Sequence, residues 1–168
     1  MCPMTPHGFD DLLTANARYA ATHAHDFDGI AHAGVAMITC MDSRLEPLEM
    51  IGLTVGDAKI LRTPGGHVTT SALLGCIVGV QLLEVDRILV VPHTKCMMAK
   101  GDDAFVIDEI ARRTGADASG LVFGADTDQL GRLVEDVERL RQHPLVGPRA
   151  QVGGFLYDVD NGTLKQLL

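Results

Sequence analysis

The chain has 168 residues, of which 46% are hydrophobic and 21% charged, the balance of a soluble globular domain with one core rather than of a disordered or fibrous protein. Fourteen Lys and Arg against twenty-two Asp and Glu leave a net charge of -8, which excludes general electrostatic binding to nucleic acid or to an anionic membrane. No run approaches the roughly 18 apolar residues of a membrane span.

The opening MCPMTPHGFDD lacks the basic-then-apolar order of a secretory signal, so the cytoplasm is the expected compartment. Residues 9–23 are rich in Ala and Leu with acids in the first turn and predict a helix. It belongs to an N-terminal helical extension, residues 1–30, that packs outside the rest of a single domain over 1–168. VAMIT from Val35 reads as a short buried strand, EPLEMI as a helical turn or two ended by Gly52, and AKIL from Ala58 as a second strand. Residues 70–83, capped by Thr69 or Thr70, are apolar nearly all round and predict an interior or interface helix.

RILVV from Arg87 has the continuous apolar character of a parallel strand covered on both faces. Asp102 is placed to cap a helix over 103–113, and Asp126 another running through LGRLVEDVERLRQ and ended by His143-Pro144. The stretch 114–125 between them has a composition that predicts mobility. VGGFLYDV and TLKQLL flank Asp160-Asn161-Gly162, a hairpin signal. The whole is an α/β fold: a mostly parallel central sheet with flanking helices and a C-terminal hairpin.

Two of the strands run straight into reactive residues. VAMIT leads to Cys40-Met41-Asp42-Ser43-Arg44, and RILVV to His93-Thr94-Lys95-Cys96. Ligands of open α/β sheets bind beyond the carboxyl ends of the strands, so the two clusters are expected to form one site. Cys40, His93 and Cys96 supply two thiolates and an imidazole. Three such ligands with a fourth position open are what a catalytic zinc site needs. Asp42 is placed to accept a hydrogen bond from a water on the ion, and Arg44 to grip Asp42 in a bidentate fork. No cofactor-binding residues beyond these metal ligands are expected.

ITCMDSRL, GDAKILR and HTKC resemble the C-x-D-S-R and H-x-x-C motifs of the β-class carbonic anhydrases, and the resemblance runs from about residue 37 to 168, through RQHPLV and DVDNGTLKQL. It is closest to the short, archaeal-like branch. The resemblance implies a Zn2+ lyase, a carbonate dehydratase, in which metal-bound hydroxide converts CO2 to bicarbonate and a proton. It also implies a homodimer whose sheet extends across the interface, or a dimer of dimers forming a homotetramer. Asp42 would either orient the zinc-bound water or, released by Arg44, take the fourth zinc position and close the site. Two thiolates cancel the charge of the ion, so activity is expected to rise toward alkaline pH.

The chain departs from the family pattern at two places. Met97 follows Cys96 where relatives have a small residue, and Arg62-Thr63-Pro64-Gly65-Gly66 replaces the usual R-N-A-G-N. Both positions line the rim, so hydrolysis of carbonyl sulfide or carbon disulfide at the same zinc is an alternative activity. A non-catalytic zinc-binding or bicarbonate-sensing homologue is another, and a thiol redox protein using Cys40 and Cys96 a third. Among the remaining candidates, Cys76 reads as core, Cys2 supports no inference, and His67 reads as a solvated loop histidine with a proton-shuttling alternative. His23, His25 and His32 with Asp26 and Asp28 read as solvated surface, and Asp102 and Asp103 as helix-start acids. PGGH and VGGF lack the spacing of a phosphate cradle.

Overall fold

The computed structural model describes residues 8–23, 26 and 28–168. Cys2 and His25 lie outside them. Five strands form one sheet in the order β2-β1-β3-β4-β5, built from β1 (Val35–Cys40), β2 (Ala58–Thr63), β3 (Arg87–Val91), β4 (Gln151–Tyr157) and β5 (Leu164–Gln166). The first four run parallel and β5 returns antiparallel to β4, pairing Tyr157 with Leu164. This is the mostly parallel sheet with a terminal hairpin that the alternation of strand and helix patterns predicts.

The helices are α1 (Asp10–Thr22), α2 (Thr70–Leu82), α3 (Asp103–Thr114) and α4 (Gln129–Gln142). Period-two alternation turns Ala36, Ile38, Ile88, Val90 and Val152 to one face of the sheet. There they meet Ala72, Cys76 and Val80 of α2 and Leu133, Val137 and Leu140 of α4. Full burial of each large aliphatic side chain among them stabilises the fold by about 1.5–3 kcal/mol. All six residues of β1 are buried, the central strand being covered on both faces.

Helix starts follow from short polar side chains. Thr69 accepts from the Ala72 amide at 3.2 Å and caps α2, and Asp102 accepts from the Phe105 amide at 3.0 Å and caps α3. The cap of α4 corrects the sequence expectation: it is Asp128, whose carboxylate takes the Gly131 amide at 2.9 Å. Asp126 instead closes a tight turn by accepting from the Asp128 amide at 2.8 Å. Two aspartates two residues apart offer the same capping chemistry, and the backbone makes an extra turn before helical geometry begins. His143 ends α4 as expected.

Beyond Thr114, where α3 ends, the connection 115–125 has no regular structure, yet it is tied down. Asp103, in the first turn of α3, accepts from the Phe123 amide at 2.9 Å and from the Ala125 amide at 2.7 Å. Asp103 is thus a helix-start acid that also fastens a loop, and the loop is not free in the way its composition predicts.

Two helices leave apolar surface open. On α1 no residue is buried, with Phe9, Leu12, Leu13 and Tyr19 all exposed. On α2 the sheet-facing side is buried, while Leu74, Val78 and Leu82, one turn apart, are 57%, 45% and 73% exposed. Beside that stripe lies β2, the edge strand of the sheet, and the groove between them encloses about 460 Å3. No helix among the described residues is long and apolar enough to cross a membrane.

Candidate metal centre

The central strands β1 and β3 lie side by side in register, with Thr39 opposite Val91, so their carboxyl ends open onto the same place. The Thr39 hydroxyl donates to the Val91 carbonyl at 2.8 Å and locks the two ends together. Cys40 is the last residue of β1, while His93 and Cys96 lie on the turn that follows β3. The ligating atoms of Cys40, His93 and Cys96 all fall within 4.8 Å of one another, and all three residues are buried.

The chemistry of this cluster suits a metal ion. The Sγ atoms of Cys40 and Cys96 are 3.9 Å apart. His93 donates from Nδ1 to the Thr94 carbonyl at 2.8 Å, which leaves its Nε2 as the lone-pair nitrogen turned toward the thiols. That Nε2 is the buried side-chain polar atom for which the described residues supply no hydrogen-bond partner. Buried polar atoms are nearly always paired, and an unpaired imidazole nitrogen beside two thiols is a donor set that suits a cation such as zinc.

The electrostatics point the same way. Donation from Cys96 lowers the pKa of Cys40, and His93 and the backbone amides of Asp42 and Gly65 add to the effect against the cost of burial. Cys96 is pushed up by that same partnership and by burial. One thiol of the pair therefore gives up its proton readily and the other reluctantly, as two neighbouring sulfurs that share a proton should. Burial disfavours the charged form of His93, but Cys40 and the Thr94 carbonyl outweigh it and the pKa is raised. Cys76, in the middle of α2, is pushed up to about 12 by burial alone and is an inert core thiol, as its apolar surroundings in sequence predict.

Asp42 and Arg44 stand at the mouth. Arg44 donates from Nε to Asp42 Oδ1 at 2.9 Å and from NH2 to Oδ2 at 2.7 Å, and its backbone amide also reaches Oδ1 at 3.0 Å. This fork holds the Asp42 carboxyl well below the usual carboxylate range. The second carboxylate oxygen lies 3.7 Å from His93 Nε2. Asp42 thus faces the cluster while gripped by Arg44. The Arg44 guanidinium also donates to the Lys95 carbonyl at 3.2 Å, joining the two reactive turns.

Arg62 has a part that motif reading missed. From β2 its guanidinium donates to the carbonyls of Cys40 at 3.0 Å, Asp42 at 2.6 Å and Leu45 at 3.3 Å, so one side chain holds the whole reactive loop by its backbone. The signal was an Arg at the end of a strand adjacent to the C-x-D-S-R loop, where its donors have only carbonyls to meet.

Comparison with known proteins agrees with this geometry. A family model described as carbonic anhydrase matches residues 35–116. A carbonic anhydrase structure from Streptococcus mutans superposes with a TM-score of 0.85 at 32% identity, covering 98% of this chain and 100% of that one. The chain belongs to the β-carbonic anhydrase family. Beta-carbonic anhydrase 1 of Mycobacterium tuberculosis is 28% identical over 163 residues, 94% of this chain and 96% of that protein. A carbon disulfide hydrolase of Acidithiobacillus thiooxidans is 26% identical over 184 residues, covering 92% of this chain and 84% of its own.

At the points where this β-carbonic anhydrase homologue departs from the family pattern, the structure shows the outcome. Met97 opens a short 3-10 turn, Met97–Ala99, and is 40% exposed. It does not fill the space between the three ligands. With Met41, Met98 and Pro64 it lines an apolar cavity of about 290 Å3 that reaches Cys40, Asp42 and Cys96. His67 corrects its sequence expectation: it is 7% exposed, and its Nδ1 lies 3.5 Å from the buried Asp136 carboxylate of α4. The middle of α4 supplies a core acid that no local pattern around His67 reveals. His32 pairs with Asp28 at 3.2 Å, both half exposed, on the surface as expected.

Proposed function

We propose that the protein is a zinc-dependent carbonic anhydrase, converting CO2 and water reversibly to bicarbonate and a proton. The observation that supports this reading most is the bare Nε2 of His93 directed with the Cys40 and Cys96 sulfurs toward one point beside the Asp42–Arg44 pair. Cys40, His93 and Cys96 would hold Zn2+, and Asp42 is a possible fourth ligand in a closed state. When bound, the ion would lower the pKa of water and make it nucleophilic, with the two thiolates placing that effect toward alkaline pH.

The remaining work falls to the chain's own residues. Asp42, kept ionised by Arg44, would accept a hydrogen bond from the attacking water and so leave its lone pair pointing at the substrate carbon. The cavity gives a small apolar molecule mostly apolar walls, Met41, Pro64, Met97 and Met98, with Asp42 and the two ligand cysteines on its inner side. Arg62 keeps the loop carrying Cys40 and Asp42 in register with the second ligand turn. Release of Asp42 by Arg44 would let the carboxylate swing to the cluster and close the site.

The three methionines favour one second reading, hydrolysis of carbonyl sulfide or carbon disulfide, because thioethers make soft, polarisable walls for a sulfur-bearing substrate. Turnover of CO2, carbonyl sulfide and carbon disulfide by the purified protein, with zinc content measured on the same sample, tests both. CO2 hydration scaling with zinc supports the first reading, turnover of the sulfur compounds alone supports the second, and bound zinc with no turnover would contradict both.

We further propose a homodimer or dimer of dimers. Support comes from the exposed apolar stripe Leu74, Val78 and Leu82 beside the edge strand β2, a surface that a second copy would cover. A cytoplasmic setting, and a single domain over 1–168 with residues 1–30 as its extension, complete the proposal.

A further inference from the structure

His67 and Asp136 are both buried, and neither belongs to the Cys–His–Cys cluster. Their immediate surroundings are fully specified. Asp136 Oδ2 accepts from the Val68 amide at 3.1 Å and faces His67 Nδ1 at 3.5 Å, while Oδ1 lies 3.8 Å from Arg132 Nε. Arg139 donates to the Val68 carbonyl at 2.6 Å, and the Thr63 hydroxyl to the His67 carbonyl at 2.8 Å. Helix α4 therefore grips the chain just after β2 by both backbone and side chain.

The far edge of the imidazole points back toward the site. A Cβ placed on Gly65 would lie 2.6 Å from His67 Nε2 and 2.8 Å from Cδ2, and 3.2 Å from the Cβ of Met98 on the other side. Gly65 has a φ of 74°, a backbone state open to glycine at little cost. It is thus wedged without a side chain between the His67 ring and the turn that carries Cys96. The next residue, Gly66, is packed as closely on the strand end: a Cβ placed on it would lie 3.3 Å from the Cys40 amide nitrogen and 3.4 Å from the Pro92 Cα.

We propose that His67, backed by Asp136, is a positioning residue for Cys40: its ring holds the 64–66 turn against the strand end from which the Cys40 sulfur projects. The line of contact runs from Asp136 on α4 through the imidazole to Gly65 and Gly66, and from Gly66 to the backbone of Cys40. A turn packed behind a ligand fixes the direction of its sulfur, and outer partners that orient ligands change metal affinity by roughly 10–100-fold. The inference rests on Cys40 being a metal ligand, and it concerns residues that touch neither metal nor substrate.

The full-length protein loaded with Co2+ tests it, because thiolate-to-cobalt charge transfer in the near ultraviolet reports on the sulfurs directly. For His67→Leu the expected result is a shifted band and cobalt binding weakened about tenfold. His67→Gln, which keeps a donor near Asp136, should restore both. Asp136→Asn should move the band in the same direction as His67→Leu, and it decides the matter if the leucine variant does not fold. A band and affinity equal to those of the unsubstituted protein in the folded variants would overturn the proposal, even if their melting temperatures fall. Failure of the unsubstituted protein to take up cobalt would instead remove the metal centre on which it rests.

Discussion

The carboxyl end of the sheet and the flank formed by α1 and the outer face of α2 are satisfied in opposite ways. At the strand ends, nearly every polar group finds a partner within the chain: Arg62 on three carbonyls, Arg44 on Asp42 and Lys95, Asp136 on the Val68 amide. What is left over is one imidazole nitrogen between two thiols. On the flank the unmet demand is apolar, with Leu74, Val78 and Leu82 exposed in a row and α1 burying nothing. The first region asks for a cation and the second for another protein surface.

The largest effects should come from breaking the strand-end region. Cys40→Ser or Cys96→Ser removes a ligand, and the expected outcome is loss of bound metal and of activity beyond the roughly 10–100-fold that an outer partner is worth, read by metal analysis and CO2 hydration together. Asp42→Ala should leave the metal in place and lower kcat by about a hundredfold, since it removes only the hydrogen bond that orients the attacking water. In the unsubstituted protein the rate should climb from neutral toward alkaline pH, because two thiolates leave the ion little charge with which to acidify water. A rate flat across that range would speak against the two-thiolate set.

The Asp42–Arg44 pair also sets an acid limit. Its carboxylate has a folded pKa lowered by the Arg44 hydrogen bonds, so the pair's contribution to stability is complete above the ordinary carboxylate value of about 4. That contribution falls away as the pH drops further and Asp42 protonates. Acid unfolding of Arg44→Ala should lack this component.

The flank makes a contrasting prediction. Leu74→Glu places a charge in the apolar stripe and should lower the mass seen in sedimentation while leaving metal content unchanged. An unaltered mass would mean that the stripe is not what a second copy covers. The smallest effect expected is at the start of α4: Asp128→Ala should cost about 1 kcal/mol in chemical denaturation, and Asp126→Ala less, which separates the true cap from its neighbour.

These contrasts also explain what could be read in advance. The sheet was legible because VAMIT and RILVV are continuous apolar runs, and the meeting of Cys40 with His93 and Cys96 because both runs end in ligand-type residues. Capping of α4 was misassigned to Asp126 because two aspartates offer the same chemistry and only the backbone path chooses between them. The burial of His67 was hidden for a different reason. Its partner Asp136 is 69 residues away on a helix whose local pattern shows an ordinary amphipathic face. Arg62 was visible as a residue but not as a clamp, since carbonyl acceptors leave no mark in a sequence.

The central claim is that two sulfurs and one imidazole nitrogen share a single divalent ion. X-ray absorption at the zinc edge of the purified protein tests it most directly. The expected result is one zinc per chain with two sulfurs at about 2.3 Å and one nitrogen at about 2.0–2.1 Å, and loss of that zinc signal in Cys40→Ser. Zinc surrounded by oxygen and nitrogen alone, or a spectrum unchanged by that substitution, would contradict it.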